Sequence, residues 1–167
     1  MRTDYPIFYQ QLTAWFREKP ARVRGLNVLN EGLKWFVFGS YGLLCVLLWC
    51  FQRGNLPISL AVPAATFMLL SFVRAKINRQ RPYETYELDP LIHKTTKGHG
   101  MPSRHIFSAA VIAMAWLHYH TAMGIVMLSL TLLDATIRVI GGVHYPTDVA
   151  AGYLSGVLAG LFIFLIL

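Results

Sequence analysis

The stretch Ile106-Phe-Ser-Ala-Ala-Val-Ile-Ala-Met-Ala-Trp-Leu-His118-Tyr119-His120-Thr-Ala-Met-Gly-Ile-Val-Met-Leu-Ser-Leu-Thr-Leu-Leu133 contains no aspartate, glutamate, lysine or arginine. A helix crossing a bilayer needs roughly 20 apolar residues, so this stretch is too long for one comfortable span. It is interrupted at His118, Tyr119 and His120, and therefore reads as a helical hairpin whose second arm continues to Arg138. Three further apolar runs, Trp35 to Phe51, Pro57 to Val73 and Val149 to Leu167, each approach spanning length. All are continuous rather than alternating, which favours helices over a β-barrel. The expected fold is all-α, an integral membrane helical bundle of about five spanning helices. It forms a single membrane-embedded domain over residues 1–167.

Composition supports this reading. Of the 167 residues, 55% are hydrophobic and 14% charged, against roughly 25% charged in an ordinary soluble domain. Four apolar regions in so short a chain leave too little polar sequence to cover them in water. Hydrophobicity excludes a disordered chain, and nucleic-acid binding is disfavoured because the remaining surface would be mostly hydrocarbon. The charge is nevertheless positive, with 15 Lys and Arg against 8 Asp and Glu, a net +7. Seven of the basic residues and only three acids lie between Arg74 and Arg104, so a net +4 is gathered in one connecting segment. Cys45 and Cys50 stand five apart in an apolar run, point in different directions on a helix and have no metal-ligand company. They read as packing residues.

The N-terminal segment Tyr5 to Phe16 is rich in aromatic residues and closed by Arg17, Glu18, Lys19 and Pro20. It is too short to span, and is expected to form an amphipathic helix lying in the headgroup region. It lacks the long apolar core and small-residue cleavage site of a secretory signal peptide.

The order of spans has a geometric consequence. If the run Pro57 to Val73 ends at one face, the hairpin leaves that face at His105, returns to it near Arg138, and the last helix departs from it at Asp148. Three polar segments, 74–82, 102–105 and 138–148, are thereby brought to the same membrane surface.

Each segment carries chemistry. In the first, Arg74 and Arg81 present planar forks of donors matched to phosphate oxygens, although a juxtamembrane polybasic stretch drawn to anionic lipid has the same composition. In the second, Gly98 to His105, glycines permit close backbone approach to an anion. Ser103 can cap the following helix, whose positive end favours negative charge. His105, in the first turn, can donate a proton to a departing oxygen. In the third, Asp148 lies four residues beyond His144, within reach of one imidazole nitrogen, which leaves the other free as a nucleophile. Pro146 suits the start of the last helix. Asp134 stands four residues before Arg138, so an intramembrane ion pair is expected, serving either to orient Arg138 or purely for structure.

Taken together, the segments resemble the type 2 phosphatidic acid phosphatase superfamily. Its signature is a basic residue, six others and Arg-Pro, then Pro-Ser-Gly-His, then Ser-Arg, five others, His, three others and Asp. Here these read Arg74, six residues, Arg81-Pro82; Pro102-Ser103-Arg104-His105; and Arg138, five residues, His144, three residues, Asp148. The resemblance runs from about Ala61 to Leu167. Three positions depart from the pattern. Arg74 replaces a lysine, with Lys76 as a competitor for that place; Arg104 replaces a glycine; and Ile137 replaces the serine before the arginine. The family usually has six crossings, and here the first is reduced to the short Tyr5 to Phe16 helix.

The resemblance implies a membrane lipid phosphatase acting through a phosphohistidine. In that reading His144, His105 and Asp148 are catalytic, and Arg74, Arg81, Ser103, Arg104 and Arg138 bind the substrate phosphate. No metal and no cofactor are expected. Partners would be a lipid phosphate substrate and membrane lipids. Undecaprenyl pyrophosphate is favoured by family analogy, with phosphatidylglycerophosphate and phosphatidic acid as alternatives. A non-catalytic scaffold binding anionic lipid is the competing class of function, while a soluble haloperoxidase is contradicted by the spans. Lys/Arg counting places the catalytic face in the cytoplasm. Family analogy places it outside, and a multi-pass cell-membrane protein with an extracytoplasmic site is the expectation.

Overall fold

The computed structural model of the chain describes residues 4–167. Helix α1 covers Asp4–Arg17, α2 Pro20–Phe51, α3 Leu56–Ile77, the short α4 Pro82–Thr85, α5 Arg104–Tyr119, α6 Thr121–Ile140 and α7 Pro146–Ile166. No strand occurs among the described residues. The hairpin breaks at His120, whose extended backbone (φ −151°, ψ 95°) separates α5 from α6. Cys45 and Cys50 are both free.

Helix α5 is enclosed by the others. Its residues from Ile106 to Trp116 are buried apart from Ser108, and four of them are alanines, which let neighbouring helices come close. Helix α7 faces it with Gly152, Gly156 and Gly160, one helical turn apart. A Cβ at these glycines would lie 2.5 Å from the Ser103 carbonyl oxygen, 2.6 Å from the Phe107 carbonyl oxygen and 2.2 Å from Met114 Cβ, respectively. On the other side Gly124 of α6 abuts the backbone of Leu117, where a Cβ would fall 2.2 Å from its Cα. The glycines therefore set how closely α6 and α7 clasp α5.

Helices α2 and α3 complete the bundle from outside. On α2 only a narrow stripe is buried, namely Leu26, Asn30, Leu33, Val37, Ser40, Leu44 and Leu48. Their spacing of three and four residues is that of one helix face. Trp35, Phe36, Phe38, Leu43, Val46 and Trp49 point outward, an apolar exterior that a lipid solvent accepts and water does not.

Among the described residues four helical stretches are long and apolar enough to cross a membrane: Pro20–Phe51, Arg53–Thr85, Thr121–Ile140 and Pro146–Ile166. The fifth expected span, α5, has 16 residues. That is about 24 Å of helix, less than the roughly 30 Å hydrocarbon thickness. Its enclosure by protein removes the need to match the bilayer itself. Helix α2, in contrast, begins well before the expected start at Trp35. Apolarity marks where lipid contacts the chain, whereas Pro20 at the first turn marks where the helix begins.

The helix ends at Ile77, Arg104, Ile140 and Pro146 lie together at one end of the bundle, tied by Ser103 N–H donating to the Asp148 carbonyl (2.9 Å) and Gly100 N–H donating to that of Arg79 (2.7 Å). Helix α1 sits against this end. Its inner face buries Tyr9 and Thr13, while Ile7, Phe8 and Trp15 are exposed, an arrangement consistent with an interfacial helix. Tyr9 Oη accepts from Leu91 N–H at 3.3 Å. Gly142, at φ +76°, passes beneath Tyr9, where a Cβ would lie 2.6 Å from its hydroxyl.

Candidate active site

Loop 141–145, between α6 and α7, delivers His144 into the interior, where it is 3% exposed. Asp148, in the first turn of α7, is fully buried. Its Oδ2 accepts from Tyr145 N–H at 3.0 Å, closing a capping box that holds the carboxylate at the helix start. The same oxygen lies 3.6 Å from His144 Nδ1. This exceeds a hydrogen bond, so Asp148 acts on the ring chiefly through its charge, and Nε2 is the nitrogen left free. Burial, with the positive charges of Arg81 and Arg138, pushes the His144 imidazole down to about 4, against the opposing pull of Asp148. The ring is neutral at physiological pH.

Around this histidine stand buried arginines. Arg74 at the end of α3, Arg81 before α4 and Arg138 at the end of α6 are each less than one-tenth exposed. Arg81 Nε donates to the Gly98 carbonyl at 3.2 Å. Glu84 accepts from Arg81 N–H and Gly98 N–H, both at 2.7 Å, so the loop carrying the second segment is fastened to the first. Lys76, the competitor for the first basic position, is exposed, with its ammonium over the Phe72 ring. Arg104 is also exposed, its guanidinium 5.4 Å from the centre of the Phe67 ring.

At Ser103, Asp134 and Arg79 the structure departs from the sequence reading or adds to it. Ser103 is the N-cap residue of α5 by position, but its side chain makes no capping bond, and its buried Oγ has no partner among the described residues. Asp134 was expected to pair with Arg138, and the pair exists at 3.4 Å between Oδ1 and Nε. Its short contact is elsewhere: His105 Nε2 donates to Asp134 Oδ2 at 2.6 Å. Arg79, one of the cations with no place in the motifs, donates to Asp148 Oδ1 at 2.9 Å and to Thr147 Oγ1 at 2.8 Å, and its guanidinium lies over the Tyr145 ring.

Both missed relations connect separate elements. Asp134 stands out in the sequence as an ionisable residue at the end of an otherwise uncharged span, but its bond to His105 depends on how α6 packs on α5. For Arg79 no signal distinguished it from Lys76, Lys94 and Lys97, which are all exposed.

The structure is that of a helical membrane protein with buried arginines beside a neutral histidine. The family model of the PAP2 superfamily matches residues 55–167, and the chain belongs to that superfamily of membrane phosphatases. It is 31% identical over 107 residues to the bacitracin transport permease protein BcrC of Bacillus licheniformis, an alignment covering 59% of this chain and 53% of that protein. The chain thus matches about half the length of that relative. Among solved structures, Aquifex aeolicus LpxE shares the fold with a TM-score of 0.73 at 18% identity, over 94% of this chain and 92% of that one. A PAP2-type phosphatidylglycerolphosphate phosphatase from Bacillus subtilis gives a TM-score of 0.60 at 20% identity, over 99% and 94% of the respective chains.

Proposed function

We propose that the protein hydrolyses a lipid phosphate or pyrophosphate through a phosphohistidine intermediate. The observation that carries this reading is a charge imbalance in a buried site. Among the described residues Arg74, Arg81 and Arg138 are buried and Arg79 reaches in from a half-exposed position, while the buried carboxylates are Asp134 and Asp148; four positive against two negative charges leaves +2. Buried charge without a counter-ion is costly, and a phosphate group carrying about −2 restores neutrality. The unpartnered Ser103 hydroxyl provides a further donor to a phosphate oxygen.

In this reading His144 Nε2 attacks phosphorus in line with the leaving oxygen. Arg74, Arg81 and Arg138 hold the equatorial oxygens, where charge is spread in a loose transition state. His105 protonates the departing oxygen, then takes a proton from the water that releases phosphate from His144. Arg104, at the exposed rim, meets the phosphate as it enters. Asp148, gripped by Arg79 and the α7 capping box, holds its negative charge beside the His144 ring. In this reading the arginines take over the charge neutralisation that a metal supplies elsewhere.

A lipid substrate is supported by an apolar groove of about 420 Å³ between α2, α3 and α5, lined by Phe38, Tyr41, Phe67, Phe107 and Val111 among others. Phe67, which carries Arg104, joins it to the phosphate end. Undecaprenyl pyrophosphate is the favoured substrate by family analogy, and phosphatidylglycerophosphate and phosphatidic acid are the alternatives. The test is purified protein in detergent, offered each of the three without added metal and with chelator. Release is expected with chelator present and fastest from the undecaprenyl substrate. Loss on chelation would overturn metal independence, and no release from any of the three would leave the anionic-lipid scaffold.

We place the site on the extracytoplasmic face, treating Lys94 and Lys97 as bases kept for substrate rather than for topology. Thr95 is exposed beside them. A Thr95→Cys variant lacking Cys45 and Cys50 is expected to react with an impermeant thiol reagent on intact cells. Labelling only after lysis would put the site in the cytoplasm.

A further inference from the structure

Within α6 a single carboxylate reaches two residues of the site. Asp134 is 1% exposed, its Oδ2 accepts from His105 Nε2 at 2.6 Å, and its Oδ1 lies 3.4 Å from Arg138 Nε. None of the three sequence motifs includes this residue. His144 and Asp148 form one imidazole–carboxylate pair, and His105 with Asp134 forms a second and tighter one on the neighbouring helices.

We propose that Asp134 is the positioning residue of the acid–base histidine, fixing the His105 ring by its Nε2 and stabilising the imidazolium so that Nδ1 carries the transferable proton. This deepens the proposed function and rests on it. The bookkeeping of the step is complete. As the P–O bond breaks, its electron pair stays on the leaving oxygen, which takes the Nδ1 proton and leaves His105 neutral. In the second half, Nδ1 accepts a proton from the attacking water, the P–N bond breaks and its pair returns to His144 Nε2. Asp134 gains and loses no proton in either half. Its negative charge favours the protonated ring, and the Nε2 bond excludes the rotated ring that would aim Nε2 at the substrate.

The charged groups facing His105 come from several elements. Asp134 and Arg138 belong to α6 and Lys34 to α2, while the buried charged residue of α3 is Arg74 and that of α7 is Asp148. All the nearby cations favour the neutral ring, so Asp134 is the group whose removal most shifts it.

The test compares Asp134→Asn with wild type on two monoesters, dodecyl phosphate, whose alkoxide must be protonated to leave, and p-nitrophenyl phosphate, whose phenolate leaves without a proton. General acid assistance is worth roughly 10²–10⁴-fold. Asp134→Asn is expected to lose about 10²-fold or more on the alkyl ester and less than about 10-fold on the nitrophenyl ester. In a His105→Ala background the same change should add little. The alkaline limb of kcat/KM on the alkyl ester should move to lower pH in Asp134→Asn, because the imidazolium has lost its counter-charge. Equal losses on both esters with an unmoved alkaline limb, or losses that multiply with His105→Ala, would show Asp134 to be a structural partner of Arg138 and overturn the proposal. Wild-type protein inactive on every phosphate ester would instead overturn the phosphatase reading itself, so the two failures are distinct.

Discussion

His144→Ala is expected to reduce phosphate release by roughly 10⁴-fold or more, since removing the nucleophile of a covalent mechanism eliminates the intermediate rather than weakening one contact. The variant should remain folded. The His144 ring lies beyond hydrogen-bond distance from Asp148, while that carboxylate keeps Arg79 and the Tyr145 N–H as partners. The cost should therefore be that of a buried cavity, about 1–3 kcal/mol, measurable as a modest fall in thermal midpoint in detergent. Substantial release from a folded His144→Ala protein would remove the phosphohistidine from the mechanism.

The same residue sets a pH expectation. Its folded-state value is depressed to about 4, below the ordinary imidazole value of about 6.5. The stabilisation gained by keeping the ring neutral is fully present above the ordinary value and is lost as pH falls toward 4. For catalysis the sign is the same, since the nucleophile stays unprotonated down to about pH 4. In a kcat/KM profile corrected for substrate ionisation, the acid limb due to His144 should lie near 4. A limb at 6 to 7 that disappears in variants of this residue would contradict the burial argument.

Gly152→Ala should be damaging although it is a conservative change. Alanine is intrinsically favoured over glycine inside a helix by about 1 kcal/mol, so propensity alone predicts stabilisation. Packing predicts the reverse. The new methyl would fall 2.5 Å from the Ser103 carbonyl oxygen and 3.3 Å from its carbonyl carbon. That oxygen accepts the Phe107 N–H that begins α5, and the Ser103 N–H is bonded to the Asp148 carbonyl. Neither backbone can yield without moving the start of α5 away from α7, and with it His105 away from His144. Overpacking of this kind costs about 1–3 kcal/mol, and misplacement of catalytic groups by about 1 Å can cost about 10²-fold in rate. We expect both a lower thermal midpoint and at least a 10-fold loss of activity, although no functional group is altered. Gly39→Ala on α2 is the control: nothing lies within 4 Å of its added Cβ, and it should be neutral or slightly stabilising. Equal behaviour of the two variants would show that α7 does not set the position of α5.

Much of the molecule was legible in the chain itself. The uncharged hairpin, the three apolar runs and the spacings Arg74 to Arg81 and Arg138 to His144 to Asp148 follow from residue order, because apolar length measures a span and i,i+4 spacing fixes neighbours on one helix. Alternating spans also dictate which polar segments share a membrane face. What residue order left undecided depends on helix rotation and on distances between helices, which come from packing. Asp134 is four residues from Arg138 by sequence, yet the approach of α6 to α5 gives its short hydrogen bond to His105. Arg79 is indistinguishable from the surrounding cations until α3 and α7 meet and Asp148 becomes its partner. Arg74 rather than Lys76 enters the interior because α3 turns that face inward. The glycines of α7 and α6 decide that closeness, since a backbone without side chains permits a contact that no local propensity could announce.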